Sequence, residues 1–154
     1  RAAWESVLSG AGAGITYGAA GIYSWHLAGT TFGSSIGEGF ATPKPWQEAI
    51  HFQGAWDYGY MAYLIGLYDL YDLVPDETLL AKENERVRVA KTSNGYALYV
   101  PYNIALKTTI SLKGYKETIV DLETRYISIN EFTEDTDTLP MHPFHRDVLV
   151  ILER

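Results

Sequence analysis

Gly14-Ile15-Thr16-Tyr17-Gly18-Ala19-Ala20-Gly21-Ile22-Tyr23-Ser24-Trp25-His26 decides how this chain is read, because a β-prone run there breaks into glycines and then delivers three rings together. Ile15, Thr16 and Tyr17 favour a short buried strand, while Gly18 and Gly21 let the backbone turn or approach a ligand closely. A strand ending in a glycine turn and an aromatic cluster presents a platform for something flat. Against this stands plain packing, since rings near a strand end also fill cores and rims. A buried tryptophan finds a partner for its indole N–H, whereas one at a loop mouth is free to stack.

Toward the N-terminus, Ala3, Trp4, Val7 and Leu8 fall at helical spacing with Glu5 and Ser6 on the other side, and the glycine-rich residues 10–14 end that helix. A helix, a short link and a strand at residues 15–17 form an αβ unit, the pattern of parallel sheets whose ligands sit at the carboxyl ends of the strands. That rule makes Tyr17, Tyr23, Trp25 and His26 the candidate substrate-binding residues.

Toward the C-terminus, residues 27–45 turn to Gly, Ser, Thr and Pro with Phe32, Ile36 and Phe40 interspersed, which reads as a packed loop. Its carboxylate, Glu38, sits among glycines and reads as a solvated loop charge. Pro43 and Pro45 announce a helix over residues 46–73, opened by Trp46. Gly54, Gly59 and Gly66 each cost about 1 kcal/mol against alanine inside a helix, so they mark kinks or close approaches of another backbone. Tyr58, Met61, Ala62, Ile65 and Tyr68 make one apolar face, and Tyr60, Leu64, Leu67 and Tyr71 a second. A helix apolar on two sides is buried on two sides, here between two layers or domains.

After Lys82 the periodicity changes from helical to alternating, which divides the chain into domains at 1–80 and 81–154. Residues 86–91 and 96–102 flank Ser93-Asn94-Gly95, a hairpin signal. Leu106, Thr108, Ile110 and Leu112 alternate in a further strand, residues 117–122 and 126–132 supply two more, and residues 147–153 close the domain. Six short strands at this spacing predict a small antiparallel sandwich. Glu131, Glu134, Asp135 and Asp137 lack the ordered spacing and glycine pivot of a calcium loop. His142, His145 and Asp147 lie in a segment kept extended by Pro140 and Pro143 without a fourth ligand nearby, so no metal is expected.

Composition narrows the classes further. The chain has 154 residues, enough for a core without staples, and no cysteine, which excludes a thiol nucleophile and a cysteine-ligated zinc. A net charge of -7 and a pI near 5.0 argue against nucleic acid, whose phosphates demand clustered Lys and Arg. The apolar-leaning run 58–73 is broken by Asp69 and Asp72 and is shorter than the roughly 20 residues of a bilayer span, so no membrane span is expected. No signal peptide is visible, and the opening at Arg1 reads as a piece of something longer. Twelve tyrosines against five phenylalanines lean toward sugar-binding or interface surfaces.

Residues 4–18, Ile22-Tyr23-Ser24-Trp25-His26, and Trp46 with Gly54-Ala55 resemble the end of the apiosidase-like glycoside hydrolases. The resemblance implies the last βα portion of a (β/α)8 TIM barrel followed by a small β-sandwich labelled as collagen-binding, an α+β fragment overall. It also implies a secreted or periplasmic location. Asp121-Leu122-Glu123-Thr124-Arg125 falls where the family's Asp-Pro-Arg-Thr-Gly turn is expected, with Asp121 and Thr124 in agreement. If residues 15–17 are the last barrel strand, the catalytic carboxylates lie before Arg1. Glycoside hydrolysis needs two carboxyl groups flanking the bond, and between Arg1 and Pro45 only Glu5 in a helix and Glu38 in a loop are available. The expectation is therefore the C-terminal portion of a glycosidase acting on plant-type or other complex polysaccharide. It supplies an aromatic platform to the upstream part of its own barrel, with no catalytic residue and no cofactor of its own. Trp46, opening a helix on the outer ring, is expected to serve stability rather than binding. The alternative, from a different class, is a non-catalytic carbohydrate- or protein-binding module in which the sandwich carries the function.

Overall fold

The computed structural model describes residues 1–31 and 42–154. The chain is α+β, with four short helices and eight strands among the described residues. It forms two compact units, one made of residues 1–15 and 66–154, the other of residues 16–65.

The first unit is built on an antiparallel six-stranded sheet. Its strands are β1 (Val74–Pro75), β2 (Arg88–Lys91), β3 (Gly95–Val100), β8 (Val148–Glu153), β5 (Lys116–Asp121) and β6 (Ile127–Glu131), hydrogen-bonded in that order. β4 (Leu106–Lys107) and β7 (Thr138–Leu139) make a separate two-stranded sheet. Alternation sets the faces. Leu98 and Val100 of β3, Val148, Val150 and Leu152 of β8 and Ile119 of β5 point into one buried cluster, which Leu106 of β4 and Leu139 of β7 share. The opposite face carries Ala97, Tyr99, Leu149, Ile151 and Val120, also buried. Helix α1 (Ala2–Leu8) packs over β2 and β3 with Trp4 and Leu8 buried. Strands buried on both faces read as near-continuous apolar runs, as Val148-Leu149-Val150-Ile151-Leu152 does.

In place of two comparable sheets there is one large sheet and a two-stranded second layer, and the reason lies at Thr108. The strand expected across residues 106–112 stops after Lys107, leaving an isolated bridge between Thr108 and Leu80. The Thr108 hydroxyl donates to the Ile110 carbonyl at 2.8 Å, turning the backbone out of the ladder. Local side-chain bonds of this kind compete with sheet pairing.

The turn after β5 is held by Asp121. Asp121 Oδ1 accepts the backbone N–H groups of Glu123 at 2.9 Å and Thr124 at 3.2 Å. Arg125 adopts φ +65°, in the left-handed region. Burial pushes the Asp121 carboxyl up, but these hydrogen bonds, with Thr124 and the charge of His142, hold it below its ordinary value. Asp147 is engaged in another way, accepting the buried Tyr99 hydroxyl at 2.9 Å, and burial together with that bond raises the Tyr99 phenol.

The second unit holds α2 (Ala20–Tyr23), α3 (Trp46–Ala49) and most of α4 (Gln53–Leu67). Two expectations are corrected here. Residues 15–17 form no strand, because a strand exists through its ladder and no described residue pairs with them. The single helix expected over 46–73 is two, interrupted at residues 50–52 and ended at Leu67. The restart places Gly54 in the first turn of α4, where the Tyr17 ring lies against its bare Cα. Along α4, Leu64 and Met61 are buried and Tyr60 partly so, while Trp56, Tyr63 and Leu67 are exposed. No helix among the described residues is long and apolar enough to cross a membrane.

Candidate functional site

The aromatic residues of the second unit divide into supports and faces. Tyr17 is a support: half-buried, it lies on Gly54 and packs at 5.4 Å, tilted by 50°, against Tyr58. His26 is 8% exposed, and its carbonyl accepts the Trp46 backbone N–H at 2.8 Å, tying the segment after α2 to the start of α3. Gly21 makes that tie possible, because a Cβ there would run into the Lys44 carbonyl.

Between these two anchors the backbone reverses sharply. The Trp25 N–H donates to the Ile22 carbonyl at 3.1 Å, and the His26 N–H donates to the Gly21 carbonyl at 3.1 Å. The Ser24 hydroxyl bonds the Ala20 carbonyl. Trp25 itself takes φ +48°, a left-handed conformation that costs a non-glycine residue on the order of 1 kcal/mol and persists only where its surroundings over-determine it. The outcome of this geometry is a ring on display. The Trp25 indole stacks on Trp46 with centroids 4.3 Å apart and planes 12° apart, and the residue is still 61% exposed. Tyr23, at the end of α2, is 65% exposed.

The sequence separated Trp25 from Trp46, and the structure brings them together. No periodicity announces that contact, which depends on the backbone bond between residues 26 and 46. Farther along, Trp56 and Tyr63 are exposed on α4, with Trp56 near His51 at 6.5 Å and Tyr63 near Tyr60 at 6.1 Å.

Chemically, the described part of this unit offers flat apolar surface and little else. Its described carboxylates are Glu48, exposed and ion-paired with Lys44 at 3.3 Å, and Asp57, which accepts Gln53 Nε2 at 2.7 Å. Glu38, with Phe32, Ile36 and Phe40, lies outside the described residues. Among the described residues no group of three or more His, Asp or Glu side chains is placed to hold a metal ion. His142 is buried, with ring nitrogens near the backbone of Tyr102 and Phe144 that close no hydrogen bond, and burial lowers its pKa. Asp135 accepts Ser111 Oγ and Asp137 pairs with Lys107, so the acidic loop is held by separate partners.

Comparison with known proteins points in one direction. Residues 1–72 match the family model described as Apiosidase-like, catalytic domain. A solved structure titled "Glycoside hydrolase" superposes on 98% of the chain with a TM-score of 0.76 at 20% identity, a likeness of fold. The chain spans 35% of that structure's length. No curated protein matches. Residues 1–72 are thus similar to the apiosidase-like catalytic domain, and the chain as a whole shares the fold of part of that solved structure.

Proposed function

We propose, taking the apiosidase-like character of residues 1–72 as premise, that this chain is the C-terminal portion of a glycoside hydrolase acting on a complex polysaccharide of plant type. Residues 1–80 belong to the end of a (β/α)8 barrel, and residues 81–154 form an accessory module. The catalytic carboxylates reside upstream, and the role of this portion is to hold the sugar.

The observation that carries this reading is Trp25, displayed on a left-handed backbone and backed by Trp46. Rings of this kind stack on the apolar faces of a sugar, and Tyr23 adds a second exposed ring with a hydroxyl at its tip. Tyr17 and His26 act behind the surface, one seating α4 and the other joining the two strips of chain. In this account Trp46 is part of the platform, because its ring fixes the plane of Trp25.

In the parent hydrolase, Trp25→Ala should lower kcat/KM by roughly 5- to 150-fold, the equivalent of losing a stacking face worth about 1–3 kcal/mol. Trp46→Ala should lower it in the same sense but less, with Trp46→Phe restoring much of the loss. A Trp25→Ala enzyme that turns over normally while melting early would mean that the ring serves packing, and the platform reading would fall.

A further inference from the structure

The sheet unit contains a groove that the aromatic platform does not use. Two stretches, residues 80–86 and 102–107, line about 500 Å³ of space, within the roughly 300–1,000 Å³ of small-molecule sites. The two sides are fastened by backbone: Leu80 bridges to Thr108, and the Ala81 N–H donates to the Lys107 carbonyl at 2.8 Å. The groove is therefore pre-formed. Its floor is apolar, since Leu80 and Leu106 belong to the buried cluster and Ile104 packs against it.

One wall is a fixed polar pair. Asn84 Oδ1 accepts the Arg86 backbone N–H at 3.1 Å, which orients the amide so that Nδ2 donates to the Tyr102 hydroxyl at 2.9 Å. The rim reads Lys82-Glu83-Asn84-Glu85-Arg86, donors alternating with acceptors and charges that cancel. Lys107 is offset by Asp137 at 3.2 Å. Such a rim selects neither a polyanion nor a polycation. An apolar floor, a tyrosine wall and closely spaced donors and acceptors suit a ligand with bare C–H faces and many hydroxyls.

We propose that this groove is a second carbohydrate site, binding a neutral saccharide with a ring face on Ile104 and its hydroxyls on Asn84, Tyr102 and Arg86. The test is a titration of the 154-residue chain followed by backbone amide shifts, with cellotetraose and xylotetraose as neutral probes and tetragalacturonate and a proline-rich decapeptide in parallel. The expected result is saturable shifts at residues 80–86 and 102–107 with at least one neutral tetrasaccharide. Ala105→Trp, which fills the groove without deleting a wall, should weaken that binding by about tenfold or more, a loss of about 1.4 kcal/mol. Asn84→Ala should weaken it in the same sense, and Trp25→Ala should leave it unchanged, so that this site and the platform fail independently. The proposal is overturned if no neutral probe shifts the groove, if only the uronate or the peptide does, or if Ala105→Trp binds as tightly as the original chain.

Discussion

Replacing Gly54 and Gly59 by alanine, one at a time, makes the same chemical change in the same helix and should move stability in opposite directions. In a helix interior alanine is favoured over glycine by about 1 kcal/mol. At Gly59 a new Cβ meets nothing within 4 Å, so Gly59→Ala should gain about 0.5–1 kcal/mol. At Gly54 the Cβ would lie 2.5 Å from Tyr17 Cε2, 2.9 Å from Cζ and 3.0 Å from the hydroxyl oxygen. The Tyr17 ring also packs on Tyr58 and cannot retreat without giving up that contact. Overpacking of this kind costs about 1–3 kcal/mol, and Gly54, in the first turn of α4, gains less than the full propensity term, so the net should be a loss of about 1–2 kcal/mol. In a Tyr17→Ala background the obstacle is gone and Gly54→Ala should become neutral or stabilising, a coupling of about 1–3 kcal/mol. Urea unfolding followed by tryptophan fluorescence suits the measurement, because Trp25, Trp46 and Trp56 all lie in the same unit as Gly54. If Gly54→Ala raises the midpoint as Gly59→Ala does, or shifts it equally in both backgrounds, the close seating of Tyr17 on α4 is wrong.

At the Asp121 turn, Arg125 holds φ +65°, so Arg125→Gly should be neutral or mildly stabilising, while Arg125→Val, β-branched in a left-handed position, should lose about 1 kcal/mol or more. Equal urea midpoints for the two variants would refute this. Burial raises the Glu117 carboxyl above its ordinary 4.5, with Asn130 at 3.5 Å opposing. The native state then holds this proton more tightly than the unfolded chain does. Its contribution to stability is greatest below pH 4.5 and is lost as pH rises through the folded value. Glu117→Gln should therefore raise the urea midpoint at pH 7 and leave it little changed at pH 4. His142 acts in the opposite sense. Its lowered pKa means that the unfolded chain binds the proton better, so stability should fall as pH drops below 6.5, and His142→Phe should flatten that fall in a series of melts from pH 7 to pH 5.

The sheet unit was the more legible half, for a reason visible in its strands. β5 and β8 announce themselves because local composition and the two buried faces demand the same residues at the same positions, whereas β6, exposed along most of its length, shows only the alternation of Ile127 and Ile129. The β2–β3 hairpin was legible too, although Gly95 earns its place differently from a turn residue: a Cβ there would collide with the Leu152 carbonyl of β8. β1 and β7 were missed because two-residue strands carry no alternation to read. The aromatic surface was legible as composition and not as arrangement. Tyr23 and Trp25 stand exposed as a platform requires, whereas Tyr17 turned inward onto a glycine 37 residues away, a contact no local pattern encodes. The stacking of Trp25 on Trp46 was illegible for the same reason, being fixed by one long-range backbone hydrogen bond.

The central claim, that this portion holds sugar without cleaving it, is tested most directly on the 154-residue chain by itself, assaying turnover and tryptophan fluorescence in the same titration with plant-wall oligosaccharides. The account predicts no detectable hydrolysis, together with a saturable fluorescence change that disappears in Trp25→Ala. Hydrolysis by the purified chain that is abolished by Glu38→Gln, Glu48→Gln or Asp57→Asn would contradict it.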